Sequence, residues 1–233
     1  MRYLGGKTRL AKKIAAVIEQ HRQPGQRFYE PFCGGLSVTA EVTGERYASD
    51  VFEPLIVLYQ AVQGGWLPPD ELSEAEYKEL RQRSRAGEIS PLITWAGFCC
   101  SFGGKWFNGY AREGTRDPTR NLCGESKRLL IKRFATLGDV DFSCRDYRSI
   151  NPTNAIIYCD APYNGTTGYK GTPKFDHYAF WDQCRQWKAD GNTVIISEYS
   201  APTDFELIAE YPHFLSVKGG QTDLARIERV FKA

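Results

Sequence analysis

Residues 28–50 read FYEPFCGGLSVTAEVTGERYASD, and this stretch decides the fold class. A short strand is predicted over 28–32, and it runs directly into a turn at Gly34-Gly35. A helix over 36–42 and a second strand that ends on Asp50 follow. A strand, a glycine turn, a helix and a strand ending on an acid form a βαβ unit, which is typical of parallel α/β folds.

The same alternation continues on both sides of this unit. Helices are predicted over 8–20, 53–62, 71–85, 126–137 and 178–188, and strands over 141–144, 155–159 and 193–197. The continuous apolar run at 155–159 is typical of a buried parallel strand. The sequence changes character between about 66 and 136, so we expect an α/β domain built from 1–65 and 137–233, with a mostly helical module inserted between them at 66–136.

Composition and length exclude several classes of protein. The 233 residues are 42% hydrophobic and 25% charged, which is ordinary for a globular protein and excludes a disordered chain, collagen and a coiled coil. No window approaches 18 uncharged apolar residues, so no membrane span or signal peptide is expected. Seven cysteines without a CxxC pair and three histidines make a metal site improbable and favour buried thiols in a reducing cytoplasm.

Positive charge is concentrated in two segments of the chain. The net charge is only +2, but residues 1–23 carry six Lys or Arg against one Glu, and residues 101–133 carry eight against three acids. Two basic segments on an otherwise acidic chain fit a surface that binds a polyanion. They fit two solvated helix faces equally well on charge alone.

The glycine turn and Asp50 are candidates for a nucleoside-binding site. Glycines directly after a strand let backbone approach a ligand, and an acid about 20 residues later can accept hydrogen bonds from both ribose hydroxyls. The alternatives are a plain strand–helix turn for the glycines and a helix N-cap for Asp50.

Asp160-Ala161-Pro162-Tyr163 follows the apolar strand and suits recognition of an amino group on a planar base. A carboxylate at a strand end can accept from an exocyclic amine, and the residue before a proline is held extended, which fixes its carbonyl. Tyr163 can stack on a base, as enzymes that act on flipped bases require. An Asp-x-Pro turn with a core tyrosine is the alternative.

The ordered set of motifs resembles the Dam-like, α-type DNA adenine-N6 methyltransferases. The chain has YLGGK at 3–7, EPFCGG at 30–35, Asp50 and finally DAPY at 160–163, and matches extend over most of its length. The resemblance implies a Rossmann-like S-adenosylmethionine-dependent methyltransferase fold with an inserted target-recognition domain. It also implies double-stranded DNA as the sequence-specific partner, no metal, and a small phage-type enzyme of the bacterial or phage-infected cytoplasm.

The same resemblance implies roles for individual residues. Those expected to bind S-adenosylmethionine are Tyr3, Lys7, Phe32, Cys33, Gly34, Gly35, Asp50, Asp146, Tyr147 and Asp160. The DAPY motif is expected to be catalytic: the adenine stacks on Tyr163, and its N6 donates to the Asp160 carboxylate and the Ala161 carbonyl. These bonds would localise the nitrogen lone pair for in-line methyl transfer, which is mainly positioning and electrostatics.

Ala161 departs from the usual Asp-Pro-Pro-Tyr pattern of this family. The carbonyl is kept and Pro162 still restricts the residue before it, but the φ restriction of a proline is lost. We expect a slower enzyme rather than an inactive one.

The insert is expected to contact DNA through a Gly-, Arg- and aromatic-rich loop. Arg and Asn side chains read base edges, and Lys and Arg bind phosphate. The candidates are Lys105, Asn108, Arg112, Arg116, Arg120 and Lys127. A loop that packs on the core is the alternative.

Three other functions compete with adenine methylation. An N4-cytosine DNA methyltransferase would use the same chemistry to hold an amine. A cofactor-binding DNA-binding protein with weakened catalysis is kept open by Ala161. A nucleotide hydrolase would have to be built on Gly5-Gly6-Lys7-Thr8, which resembles the end of a P-loop but follows no strand. The sequence leaves the oligomeric state open, a monomer included.

Overall fold

The computed structural model describes residues 3, 5–112, 121–163, 175–213 and 226–233. Six α-helices lie in this part of the chain: α1 Ala11–His21, α2 Glu53–Gln63, α3 Glu74–Arg85, α4 Pro91–Cys99, α5 Leu122–Leu137 and α6 His177–Ala189. The strands are β1 Arg27–Glu30, β2 Arg46–Asp50, β3 Asp141–Cys144, β4 Ala155–Cys159, β5 Thr193–Glu198, β6 Glu206–His213 and β7 Arg226–Lys232.

The strands form one sheet in the order β3-β2-β1-β4-β5-β7-β6. The first five strands in this order pair in parallel, while β7 lies antiparallel between β5 and β6. This sheet confirms the predicted Rossmann-like α/β fold class. The strand order reverses between β1 and β4, and ligands of open α/β sheets bind at the carboxyl ends of the strands beside such a reversal.

Strand β4 anchors the centre of the sheet. All five of its residues are buried, and it pairs with β1 on one side and β5 on the other. Ile156 and Ile157 are fully buried on opposite faces, and each contributes roughly 1.5–3 kcal/mol through burial. Residue 160, which directly follows this strand, therefore starts from a rigid position.

The predicted helix over 36–42 is wrong. The segment forms a series of turns, in which the Ala40 amide reaches the Leu36 carbonyl at 3.3 Å. Leu36 has a left-handed backbone with φ of 56°, which interrupts a helix at its start. The Thr39 amide donates to the Glu30 carboxylate at 2.9 Å rather than to a helical carbonyl. The side chain that ends β1 therefore takes a hydrogen bond that a helix would need.

Between 66 and 136 the described residues form the helices α3, α4 and α5, which are joined by loops. Ser73 begins α3 with a capping box to Glu76, and such a cap stabilises a helix by about 1 kcal/mol. Helix α4 packs against α2, and the Thr94 hydroxyl donates to the Pro54 carbonyl at 3.0 Å. Buried side chains of both segments share one hydrophobic cluster, so the insert is packed onto the sheet rather than suspended from it. No helix within the described ranges is long and apolar enough to span a membrane.

Candidate active site

Three carboxylates lie at the carboxyl edge of neighbouring strands. Glu30 ends β1, Asp50 ends β2 and Asp160 follows β4 directly. Because these strands are adjacent and parallel, their carboxyl ends open onto the same crevice at the reversal of strand order. The turn at Gly34-Gly35 leaves β1 at the same edge, so the predicted cofactor and catalytic motifs converge.

Lys7 connects this edge to β7, the last described strand along the chain. Its Nζ lies 3.0 Å from Oδ1 of Asp160 and 3.3 Å from Oε1 of Glu228, and its side chain is only 12% exposed. Burial lowers the pKa of Lys7, but the two carboxylates outweigh that effect and leave the pKa raised. The lysine is therefore a cation shared by two acids.

Asp160 is held as a largely desolvated carboxylate. Burial raises its pKa, and the ammonium of Lys7 partly offsets that rise. A carboxylate placed this way is an acceptor for an N–H donor that approaches within the crevice. The following Ala161 is buried and Pro162 is exposed, so the start of the motif lies at the boundary between core and solvent.

Tyr163 is fixed by three neighbours. Its hydroxyl donates to Oε1 of Glu228, its ring meets Tyr199 edge-on with centroids 4.7 Å apart, and Nζ of Lys7 lies 4.4 Å from its ring centroid. Burial and the nearby carboxylates Asp160 and Glu228 raise the pKa of Tyr163, which keeps the phenol protonated as a donor. One face of the ring is therefore covered by the ammonium.

The glycine turn is packed closely under Tyr3. A Cβ atom at Gly34 or Gly35 would lie 3.0 Å from the Tyr3 side chain, and Gly34 has a left-handed φ of 39°. The Tyr59 hydroxyl donates to the Gly34 carbonyl, and the Arg133 guanidinium donates to the Gly35 carbonyl. The turn therefore needs glycine for both backbone conformation and space.

Asp50 braces this turn from β2. Its Oδ2 accepts from the Gly34 amide at 3.1 Å, and its Oδ1 accepts from the Phe52 amide at 2.9 Å. Burial raises its pKa, and these backbone donors partly offset the rise. Helix α2 begins after Phe52, so Asp50 is not its N-cap residue. Each carboxylate oxygen keeps acceptor capacity for a further donor.

Glu30 is the most deeply buried acid at this edge. Its Oε2 atom accepts from both the amide and the hydroxyl of Thr39. Burial raises its pKa to about 8, the Thr39 hydrogen bonds act against that rise, and the negative charge of Asp160 adds to it. Glu30 is 3% exposed, so it acts as a buried brace for the turn after β1 rather than as a group open to solvent.

Phe32 and Tyr147 form an aromatic wall beside the crevice. Their ring centroids lie 5.2 Å apart, and Tyr147 is buried. Asp146 precedes a short 3₁₀ turn, accepts from the Arg148 amide at 2.9 Å and pairs with the Arg148 guanidinium. The structure thus brings Tyr147 to the wall, while the carboxylate of Asp146 is engaged by a neighbouring cation.

Comparison with known protein families agrees with this geometry. Residues 3–88 match the D12 class N6 adenine-specific DNA methyltransferase family. This match confirms the predicted resemblance and the predicted enzyme class, an adenine-specific DNA methyltransferase with DNA as its substrate. It also favours adenine over the N4-cytosine alternative. The match ends before the DAPY motif, and no curated protein matches the chain.

Two of the predicted DNA contacts form ion pairs with acids between residues 66 and 136. Arg112 binds Glu74 through both its Nε and Nη2 atoms, and Lys127 pairs with Asp70 at 2.9 Å. Lys105 and Asn108 are exposed in the loop that follows α4. The predicted contacts Arg116 and Arg120, and the loop over 164–174, lie outside the described residues.

Glu228 is a residue of the candidate site that the sequence motifs did not include. It lies on β7, and its burial follows the two-residue period of a strand, since Val230 on the same face is also buried. An acidic residue on the buried face of a strand is unusual, and this alternation in the sequence could have indicated that Glu228 has a partner inside the protein. In the described part of the chain, no group of three or more His, Cys, Asp or Glu side chains is placed to hold a metal ion.

Proposed function

We propose that the protein transfers the methyl group of S-adenosylmethionine to N6 of an adenine in a specific sequence of double-stranded DNA, after the base has left the helix. The observation that carries this proposal is the position of Asp160, which follows β4 beside the glycine turn and pairs with Lys7. The family match supports adenine methylation in general. The cofactor, the base flipping and the residue roles are our inference.

The residues at the crevice fit S-adenosylmethionine. Asp50 has carboxylate oxygens that can accept from ribose hydroxyls, and the turn at Gly34-Gly35 presents backbone without side chains. The group would be held by Tyr3, Lys7, Phe32, Cys33, Gly34, Gly35, Asp50, Asp146, Tyr147 and Asp160. When bound, it supplies a methyl group on a sulfonium, which is electrophilic without a metal.

Asp160 and Ala161 are proposed to hold the target amino group. An exocyclic amine has two N–H donors, so one can go to the Asp160 carboxylate and the other to the Ala161 carbonyl. Pro162 restricts the backbone of Ala161 and aims that carbonyl. The two hydrogen bonds pull the nitrogen toward tetrahedral geometry and leave its lone pair directed at the methyl carbon.

Tyr163 is proposed as the platform for the flipped adenine. Because Nζ of Lys7 covers one ring face at 4.4 Å, the base must use the opposite face or displace the ammonium. Base–aromatic stacking of this kind contributes about 1–3 kcal/mol. The stacking energy would repay part of the cost of taking the adenine out of the helix.

We propose residues 66–136 as the module that recognises DNA and residues 1–65 with 137–233 as the catalytic domain. Lys105, Asn108, Arg112, Arg116, Arg120 and Lys127 are the proposed contacts. The exposed positions of Lys105 and Asn108 support this assignment. The ion pairs of Arg112 and Lys127 mean that these cations would exchange a carboxylate partner for a phosphate.

The direct test is transfer of a labelled methyl group from S-adenosylmethionine to DNA, followed by mass spectrometry of the nucleosides. N6-methyladenine is the expected product. N4-methylcytosine would overturn the choice of base. Cofactor binding without any transfer would instead support a DNA-binding protein that has lost catalysis at Ala161.

A further inference from the structure

Glu228 is a buried acid that the motifs of the proposed reaction do not include. It comes from antiparallel β7, yet its carboxylate faces Lys7 at 3.3 Å and accepts from the Tyr163 hydroxyl. A buried carboxylate is costly unless it is paired and hydrogen-bonded, and here both partners belong to the proposed reaction centre. The arrangement therefore has a purpose at the site rather than in the core.

We propose that Glu228 is a positioning residue, which orients Tyr163 through its hydroxyl and gives Lys7 a second carboxylate so that Asp160 can accept from the target amine. This inference rests on the proposed function and deepens it. Glu228 itself touches neither the base nor the methyl group; it acts through the two residues that it holds.

The first step concerns Lys7. An ammonium has three N–H donors, and its distances to Asp160 and Glu228 differ by only a few tenths of an ångström. When an amine donates to Asp160, the bond from Lys7 to that carboxylate weakens. Glu228 keeps the ammonium paired during this exchange. Without Glu228, the largely buried Lys7 would have to stay on Asp160, because an unpaired buried charge is strongly unfavourable.

The second step concerns Tyr163. Glu228 fixes the hydroxyl end of the side chain, and the edge contact with Tyr199 fixes the ring plane at 90° to its neighbour. The orientation of the ring is therefore set before a base arrives. A platform that is already oriented holds the base close to its reactive geometry, and this favours methyl transfer once the DNA is bound.

Strand pairing holds Glu228 in place. In the sheet, Glu228 lies opposite Tyr211 of β6. The neighbouring Arg229 forms an ion pair with Glu210 at 2.7 Å and donates a hydrogen bond to the Tyr199 carbonyl at 2.6 Å. Arg229 thus ties β7 to the segment that carries Tyr199. The Arg229–Glu210 ion pair is exposed and provides a matched control, because its loss removes a carboxylate from the same sheet but not from the crevice.

The test compares Glu228→Gln, Tyr163→Phe, the double variant and the control Glu210→Gln. Glu228→Gln should lower kcat by about tenfold or more, since a hydrogen bond to a charged group has that strength. The Kd for S-adenosylhomocysteine and the KM for DNA should stay close to those of Glu210→Gln. The double variant should lose little more kcat than the more damaging single variant.

Two outcomes would overturn the inference: a kcat of Glu228→Gln equal to that of Glu210→Gln, or a double loss equal to the product of the single losses. If Glu228→Gln folds poorly, Glu228→Asp keeps the charge on a shorter side chain. It should retain part of the kcat, and a kcat equal to that of the control would again contradict the proposal.

Thermal unfolding of the same four variants separates this inference from the proposed function. The Tm shifts of Glu228→Gln and Tyr163→Phe should be coupled, because both remove one contact. A wild-type protein that transfers no methyl group would overturn the proposed function. Coupled Tm shifts would then still support the anchoring of Tyr163 by Glu228, and independent shifts would overturn it.

Discussion

The protein carries charged side chains in two regions that differ in how those charges are paired. At the crevice, Lys7 is 12% exposed and lies between two acids. In the insert, Arg112 is 72% exposed and binds the single partner Glu74 among the described ion pairs. Exposed pairs contribute roughly 0–1 kcal/mol, whereas a charge removed from water depends on its partners.

The difference indicates what each region can do. Buried charges keep one arrangement, because any departure leaves a desolvated ion unpaired, and such an arrangement suits chemistry that needs fixed geometry. Exposed ion pairs exchange partners at little cost, which suits a surface that trades carboxylates for the phosphates of DNA. Four experiments would break or sharpen this comparison.

Removal of Asp160 should have the largest effect. Asp160→Ala deletes the proposed acceptor for the target amine, so we expect methyl transfer to fall by about 10³-fold, as when a preorganised group at a reacting atom is lost. Tritium transfer from labelled S-adenosylmethionine to DNA measures it. Asp182→Ala, which removes an exposed partner of Arg185, is the control. Equal labelling by wild type and Asp160→Ala would refute the site assignment.

The pH dependence of stability should follow the buried acid Glu30. Its pKa is about 8 in the folded protein against an ordinary value of 4.5. Because the folded protein holds this proton more tightly than the unfolded chain, protonated Glu30 stabilises the fold. That stabilisation is fully present below pH 4.5 and is lost as the pH rises to the pKa of about 8 in the folded protein. The loss is on the order of several kcal/mol at most. Glu30→Gln removes this titration, so its Tm should change less between pH 5 and 9 than the Tm of the wild type.

Glu74→Gln is the matched control from the exposed region. Its hydrogen bonds to Lys78 and Arg112 lower the pKa of Glu74, so its contribution is present above the ordinary pKa and is lost as the pH falls. The Tm of Glu74→Gln should therefore still fall as the pH rises from 5 to 8, as in the wild type. A wild-type Tm that does not fall between pH 5 and 8 would contradict the assignment to Glu30.

Changes in the insert should affect DNA binding in both directions. Lys105→Ala with Arg112→Ala should weaken binding by about tenfold and reduce the salt slope by about one for each lost phosphate contact. Glu74→Gln should strengthen binding a few-fold, since it releases Arg112 from an exposed ion pair and leaves the cation available for phosphate. Titration of labelled duplex at several salt concentrations measures both, with Lys188→Ala as control. An unchanged slope would exclude these contacts.

Ala161 should give the smallest effect. Ala161→Pro restores the φ restriction of a proline, and a gain of about 1 kcal/mol corresponds to roughly fivefold in kcat at saturating DNA. Ala161→Gly adds backbone freedom and should shift kcat the other way. A proline variant that is no faster than wild type would show that backbone freedom at this position does not limit the reaction.

Periodicity and turn residues were enough to predict most of the fold. The strands that end at Asp50 and Cys159 are where the sequence placed them, because apolar runs and neighbouring glycines are local signals. The helix predicted over 36–42 failed, since Thr39 hydrogen-bonds to Glu30 on the preceding strand. A competing tertiary hydrogen bond leaves no trace in local periodicity.

The candidate site was predictable only in part. The motifs converge at one sheet edge because the carboxyl ends of parallel strands must do so. Glu228 was missed because its strand is antiparallel and far along the chain from Lys7. The positive charge counted over 101–133 also overstated the net charge of this surface, since Arg112 and Lys127 pair with Glu74 and Asp70, which lie outside that window.

The position of β7 also sets an order of events during protein synthesis. Strand β6 is paired in the sheet through β7, so it has no place in the sheet until β7 has left the ribosome. The pairing of β7 with β5 skips the intervening β6 in the sequence, so the edge of β5 stays exposed until β7 arrives. A ribosome that stalls within β6 would therefore present Lys7 and Asp160 without Glu228, with the edge of β5 still unpaired.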